Sequence, residues 1–224
     1  MAVQRNEFSA DVSDDELMAE EALAARPAEA SVTAVSSGWG ASAAFSGEGF
    51  PEEFKFADGE YKIVKFIDPS NAGPFAVYRQ HWLNQVTTGK RSFISPGPND
   101  ALTVKLGSKA VQKYAFTVVN LSEPDGFKKQ ILVAGNRLFG MLKEANANAK
   151  SGPLTNGYWA LTRTGKLQSI SYVVSAVKER DLQEDWGIDP EKAAEFIKTV
   201  EPYDKSAIRI SSYDELEKIA ATLS

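Results

Sequence analysis

The stretch Tyr114–Ala176, YAFTVVNLSEPDGFKKQILVAGNRLFGMLKEANANAKSGPLTNGYWALTRTGKLQSISYVVSA, decides the fold class. Tyr114–Leu121 is dominated by aromatic and β-branched residues, and Lys128–Val133 ends in a second apolar run. Such side chains suit a pleated, half-buried surface. Between them Glu123–Gly126 reads EPDG, where proline presets φ and glycine supplies a positive φ, so the two runs pair as a hairpin. The period then changes. Over Asn136–Ala149, Leu138, Phe139, Leu142 and Ala145 fall on one helical face. Tyr158–Thr164 and Ser169–Ala176 return to strand composition and are joined across Gly165.

Upstream, Asp58-Gly59 makes a turn into Tyr61–Asp68, where apolar and basic residues interleave. A Pro/Gly loop at Pro69–Pro74 leads to the strand Ala76–Leu83, and Gly89 starts a short basic strand, Lys90–Ile94. Ser95–Asn99 carries two prolines and a glycine and reads as loop. Several antiparallel strands, one helix and two more strands suggest a mainly β (α+β) class. The leading form is an OB-fold-like Greek-key barrel with a helix inserted between its third and fourth strand regions. Periodicity leaves other small α+β and sandwich arrangements open.

The flanks differ from this middle. Residues 1–57 read as an acidic N-terminal arm: Asp11–Ala25 suits an acidic helix with a thin apolar face, and Ser31–Gly49 is a linker-like run holding Trp39 between two glycines. Residues 181–224 read as an acidic, helical C-terminal extension. Asp189-Pro190 opens a helix to about Thr199, and Glu201-Pro202 breaks it. Ala207–Ser211 suits a short strand, and Ser212 with Glu215 forms a capping box for a last helix to Leu223.

Charge follows the same division. The chain of 224 residues carries net −5, yet residues 1–60 carry −10, residues 61–180 carry +11, and residues 181–224 carry −6. A basic domain of ordinary size is thus flanked by acidic segments, and local charge sets the field that a polyanion meets. The absence of cysteine excludes disulfides, thiolate metal sites and a cysteine nucleophile. One histidine, His81, excludes a multi-histidine metal site within one chain. Neither a secretion signal nor a membrane span is legible, so a soluble intracellular protein is expected.

The basic middle is also aromatic, as single-stranded nucleic acid requires: cations neutralise phosphates and flat rings stack on bases. Candidate contacts are Tyr78, Arg79, His81, Trp82, Lys90, Arg91, Phe93, Arg137, Trp159, Arg163, Lys166 and Lys178. The competing role for each ring is core packing. Strand alternation puts Tyr78, Gln80 and Trp82 opposite Arg79 and His81, and one of these sets belongs to the core. His81 lacks the nearby nucleophile and partner that a general base needs. The middle's six carboxylates show no ligand-like spacing, and phosphate-loop and dinucleotide motifs are absent, so no enzyme activity is expected.

An ordered series of motifs resembles the single-stranded DNA-binding proteins of tailed bacteriophages, especially those of actinobacterial hosts. It runs through Ser37-Gly38-Trp39-Gly40, Gln80-His81-Trp82, Gly89-Lys90-Arg91-Ser92-Phe93, Gly152-Pro153-Leu154-Thr155 and Tyr158-Trp159-Ala160. It continues through Val177-Lys178-Glu179-Arg180-Asp181-Leu182, Asp185-Trp186, Glu201-Pro202-Tyr203-Asp204 and the Glu215-Leu216 helix. The resemblance implies an OB-fold that coats single-stranded DNA during phage replication, recombination and repair, in the cytoplasm of the infected bacterial host. Family members often carry a zinc-binding cysteine cluster after the Lys-Arg-Ser-Phe strand. Here that loop is Ser95-Pro96-Gly97-Pro98-Asn99-Asp100-Ala101, without cysteine or histidine, so neither metal nor cofactor is expected. Its prolines are candidates for holding it instead. The expected partners are single-stranded DNA and, through the acidic arms, phage or host replication and recombination proteins. An arm beside the basic domain could also occupy an empty groove, in which case deleting residues 1–57 raises DNA affinity at low salt. The alternative is a structural or protein-interaction module of a phage particle, its basic face meeting an acidic protein.

Overall fold

The computed structural model describes residues 51–69, 73–86, 89–166 and 169–223. The expected helix at Asp11–Ala25 and the Gly38-Trp39-Gly40 element lie outside the described residues, as does the arm's effect on affinity. Seven strands form one sheet: β1 (Lys62–Phe66), β2 (Ala76–Trp82), β3 (Ser92–Ile94), β4 (Val111–Asn120), β5 (Lys128–Ala134), β6 (Tyr158–Thr164) and β7 (Ser171–Val177). Every ladder between them is antiparallel, and the order is β3-β2-β4-β1-β6-β7 with β5 also on β4. The ten-residue β4 is the spine. Its first half pairs with β2 and its last residues with β1, while its other edge takes β5 from Tyr114 to Asn120. The class is α+β, mainly antiparallel sheet.

Period-2 alternation gives this sheet two buried faces. On the inner face Val64, Phe66, Phe116, Leu132, Trp159 and Leu161 pack against Leu138 and Leu142 of helix α2 (Asn136–Ala147). Phe139 of α2 stacks on Tyr114 with ring centroids 3.6 Å apart. Burying each such side chain contributes about 1.5–3 kcal/mol. After α2 the chain doubles back at Gly152, where an added Cβ would stand 2.1 Å from the Asn146 carbonyl oxygen. Only glycine fits there.

The C-terminal segment covers the outer face and then passes to the other side of the sheet at the β2–β3 hairpin. Helices α3 (Asp181–Trp186) and α4 (Pro190–Thr199) lay Leu182, Ile188 and Ala193 on Ile63, Val119 and Ala160. Helix α5 (Tyr213–Leu223) buries Leu216 and Ala220 against Leu83, Phe93 and Leu102, the last from a short helix α1 (Ala101–Leu106). Both expected caps form: the Asp189 carboxylate accepts the Glu191 N–H at 3.0 Å, and the Ser212 hydroxyl accepts the Glu215 N–H at 3.1 Å. Residues 181–223 are therefore a packed layer rather than an appendage.

Ser95–Asn99 is loop, as expected, and leads straight into α1, which Asp100 caps by accepting the Thr103 N–H at 2.9 Å. Two other expectations change. Ala207–Ser211 is not a strand; Lys205–Ala207 form a 3-10 turn, and the chain crosses the sheet, bonding β3 only where the Ser211 N–H meets the Ile94 carbonyl at 3.1 Å. The arm boundary at residue 57 also falls inside packed structure. Phe54 is buried, and residues 52–54 lie parallel along the edge of β5, with Phe54 N–H to Ile131 O and Ile131 N–H to Glu52 O both at 2.8 Å.

Candidate nucleic-acid interface

β2 and β3 form a hairpin in which Gln80 faces Ile94, His81 faces Phe93 and Trp82 faces Ser92. Directly paired residues share a face. His81, Leu83 and Phe93 therefore point together beneath α1 and α5, whereas Tyr78, Gln80 and Trp82 point to the other side.

His81 is fully buried, so it is no DNA contact here. Its Nδ1 lies 3.0 Å from the Ser108 hydroxyl and its Nε2 2.9 Å from Asp100 Oδ2. The same carboxylate accepts the Ser95 hydroxyl and the Thr103 N–H. Burial opposes ionisation of Asp100, but hydrogen bonds from Ser95, His81 and Thr103 outweigh it and hold the carboxyl below its usual range. Ser108, His81 and Asp100 have the residue types of a hydrolytic triad. With His81 and Asp100 sealed from solvent and Asp100 capping α1, the line is a structural tie. It fastens residues 95–108, which include the Ser95–Ala101 loop for which prolines were the expected restraint. Among the described residues no three His, Cys, Asp or Glu side chains converge as a metal site.

Three more candidates leave the surface. Phe93 is buried under α5, and Trp159 is buried against α2 with its Nε1–H donating to the Leu154 carbonyl at 2.7 Å. Arg163 is 6% exposed in β6, and its Nε has no hydrogen-bond partner. Strand-centre rings that face a helix become core, which explains both aromatic corrections. Arg137, Lys166 and Lys178 are exposed but stand apart from the hairpin, at the start of α2, in the β6–β7 turn and just after β7. The Arg137 guanidinium donates to the Ile170 carbonyl.

What the fold does gather is the hairpin group. Tyr78 and Trp82 are half-buried, Arg79 is exposed, Arg91 is half-buried, and Lys90 stands beyond the tip of β3 with its Nζ 5.1 Å from the Phe93 ring centroid. Partial burial lowers the Lys90 pKa; Glu215, 3.9 Å away, opposes the shift and Arg209 adds to it. The Trp82 Nε1–H donates to Asn84 Oδ1 at 2.9 Å, which fixes its ring.

Register extends the Tyr78–Trp82 side across the sheet. Tyr78 pairs with Lys113, Ala76 with Ala115, Ala115 with Val133, and Thr117 with Ile131. This outer face of β5-β4-β2-β3 thus joins two rings to Lys113 and to Lys129, which follow the same alternation on β4 and β5. Over it runs residues 201–211, the strap between α4 and α5. The Tyr203 N–H donates to the Thr117 hydroxyl at 3.0 Å, and the Lys129 ammonium donates to the Glu201 carbonyl at 3.3 Å while lying 4.1 Å from the Tyr203 ring centroid. Ala207 and Ile208 pack with Ala76, Ala115 and Ile131. Beneath, the Thr117 N–H donates to Asp68 Oδ2 at 2.9 Å. Burial, opposed by these Thr117 hydrogen bonds, pushes the Asp68 carboxyl up to about 6.

Lys113, Lys129 and Tyr203 were absent from the sequence candidates. Alternation along β4 and β5 was the available signal for the lysines; nothing local places Tyr203 over strands more than 70 residues away in sequence. No protein-family model matches the chain, and no curated protein and no solved structure matches it.

Proposed function

We propose that this protein binds single-stranded DNA without sequence preference and without catalysis, using the β2–β3 hairpin and the face continuous with it. One observation carries the reading: a single two-stranded projection presents Tyr78 and Trp82 on one side and carries Arg79 and Arg91 on the other, with Lys90 at its end. Rings of this kind offer stacking surfaces to any base, at about 1–3 kcal/mol each. The cations exchange condensed counterions for phosphates. The strand order β5-β4-β1-β6-β7 with α2 between β5 and β6 supports an OB-fold-like barrel, although no β5–β7 ladder joins its ends among the described residues. Such barrels bind oligonucleotides on the face of their second and third strands and on adjoining loops. In this chain those strands correspond to β4 and β5, and the hairpin is an elaboration of the first loop. The phage-type motif series points the same way, to a protein that coats single strands during replication, recombination and repair.

The test is fluorescence anisotropy with labelled oligothymidylate, a matched RNA oligomer and a duplex. Lys90→Glu/Arg91→Glu is expected to weaken oligothymidylate binding at least tenfold, since it removes two phosphate contacts and adds repulsion. An unchanged affinity would remove the hairpin from the site. Failure of the unmodified chain to bind any of the three ligands, with capture of an acidic protein partner instead, would favour the particle-module alternative.

A further inference from the structure

We infer that the strap, residues 201–211, is a built-in occupant of the DNA-binding face and that single-stranded DNA displaces it. The inference rests on the DNA-binding reading above and adds where the strand lies and what it must exchange with. The two halves of the C-terminal layer are held very differently. Helices α3 and α4 and the turn between them bury Leu182, Ile188 and Ala193 in a continuous apolar cluster, and α5 buries Leu216 and Ala220. Between these anchors the strap buries only Ser211, whose hydroxyl has no hydrogen-bond partner. Tyr203, Ala207 and Ile208 are half-buried, and Ile210 is 61% exposed. Among the described residues three hydrogen bonds through its backbone, Tyr203 N–H to Thr117, Ser211 N–H to Ile94 and Glu201 O from Lys129, hold it across four strands. A segment with few buried apolar contacts and exposed backbone opens at low free energy, while its ends stay fixed.

The contacts it makes are those a nucleotide would use. The Tyr203 ring sits under the Lys129 ammonium at 4.1 Å and beside the Phe75 ring at 6.2 Å. The Glu201 carbonyl oxygen accepts from the same ammonium. A flat ring paired with an acceptor oxygen on one cation is the pattern of a base and its phosphate. Lifting the strap would uncover Ala76, Ala115 and Ile131, expose more of the half-buried Tyr78 and release Lys129, so that Tyr78, Trp82 and the β4–β5 face become one track. Affinity in the unmodified chain is then reduced by the fraction of molecules with the strap docked.

The full chain and its Tyr203→Ala/Ile208→Ala variant are compared by anisotropy with labelled oligothymidylate, alongside amide hydrogen exchange of the unmodified chain with and without saturating oligomer. Expected are an affinity roughly three- to tenfold higher in the variant, and loss of protection at the Tyr203 and Ser211 amides on DNA binding. DNA binding by both chains with equal or lower affinity in a folded variant overturns the inference alone. So does continued protection of the strap amides at saturation, which decides the matter even where the variant fails to fold. No oligothymidylate binding by either chain overturns the DNA-binding reading and, with it, the role of the strap.

Discussion

Asp68 and Asp100 are both buried, and their surroundings drive them in opposite directions. Asp100 is bonded to Ser95, His81 and Thr103, so removing it takes a partner from the buried His81 ring and from two half-buried groups. Asp100→Ala is expected to cost about 2–4 kcal/mol in urea unfolding. A loss below roughly 1 kcal/mol would contradict its role as the tie for α1. Asp68 has Thr117 on Oδ2 and nothing on Oδ1. Its folded pKa of about 6 lies above the usual 3.8, so the native state binds its proton more readily than the unfolded chain between those values. Stability therefore falls as pH rises through that window, and the cost of the ionised form above it is on the order of 3 kcal/mol. Asp68→Asn keeps an oxygen for the Thr117 N–H. It should stabilise the protein at pH 7.5 and much less at pH 4, read from urea midpoints at both; equal effects at the two would contradict the assignment. Neither aspartate was legible in this role, because a carboxylate's pKa is set by neighbours that only the fold supplies. Asp100 as a helix cap was the nearest signal, and α1, at six residues, was too short to show a period.

At the scale of elements, sequence reading succeeded where a local rule was sufficient. Strand composition located β1, β2, β5 and β6 to within a residue or two, and capping chemistry located α4 and α5. It failed where an element's partner is distant. Residues 52–54 read as arm, and Ala207–Ser211 as a short strand, until β5 and β4 are placed beside them. The same lesson applies to α5, which carries acidic surface and yet holds Leu216 with no exposed area against Leu83 and Leu102. Leu216→Ala should cost about 2–5 kcal/mol, the range for a buried leucine. A solvated appendage would show no change in the urea midpoint. Gly152→Ala should destabilise the α2–β6 connection similarly, since its Cβ would meet backbone oxygen rather than a movable side chain.

For the molecule as a whole, the charge split survives folding in altered form. The basic middle is the sheet, and the acidic C-terminal segment packs on it, α3, α4 and the following residues on the outer face and α5 on the other side of the β2–β3 hairpin, rather than trailing as an arm. Of the twelve candidate contacts, His81, Phe93, Trp159 and Arg163 were lost to burial, a distinction that strand composition could not make because core and stacking both select flat, apolar rings. Five others were gathered by a single hairpin. The account's central claim is that this hairpin and its face bind single strands by charge and stacking. It is tested most directly by titrating intrinsic tryptophan fluorescence with oligothymidylate over a series of salt concentrations, Trp82 being on the face and Trp159 sealed within. The account predicts saturable quenching whose logarithmic affinity falls linearly with the logarithm of salt, at a slope of about −0.7 per phosphate contacted. Quenching lost in Trp82→Phe would place the strand on this face. Absence of binding, or binding indifferent to salt, would contradict the claim.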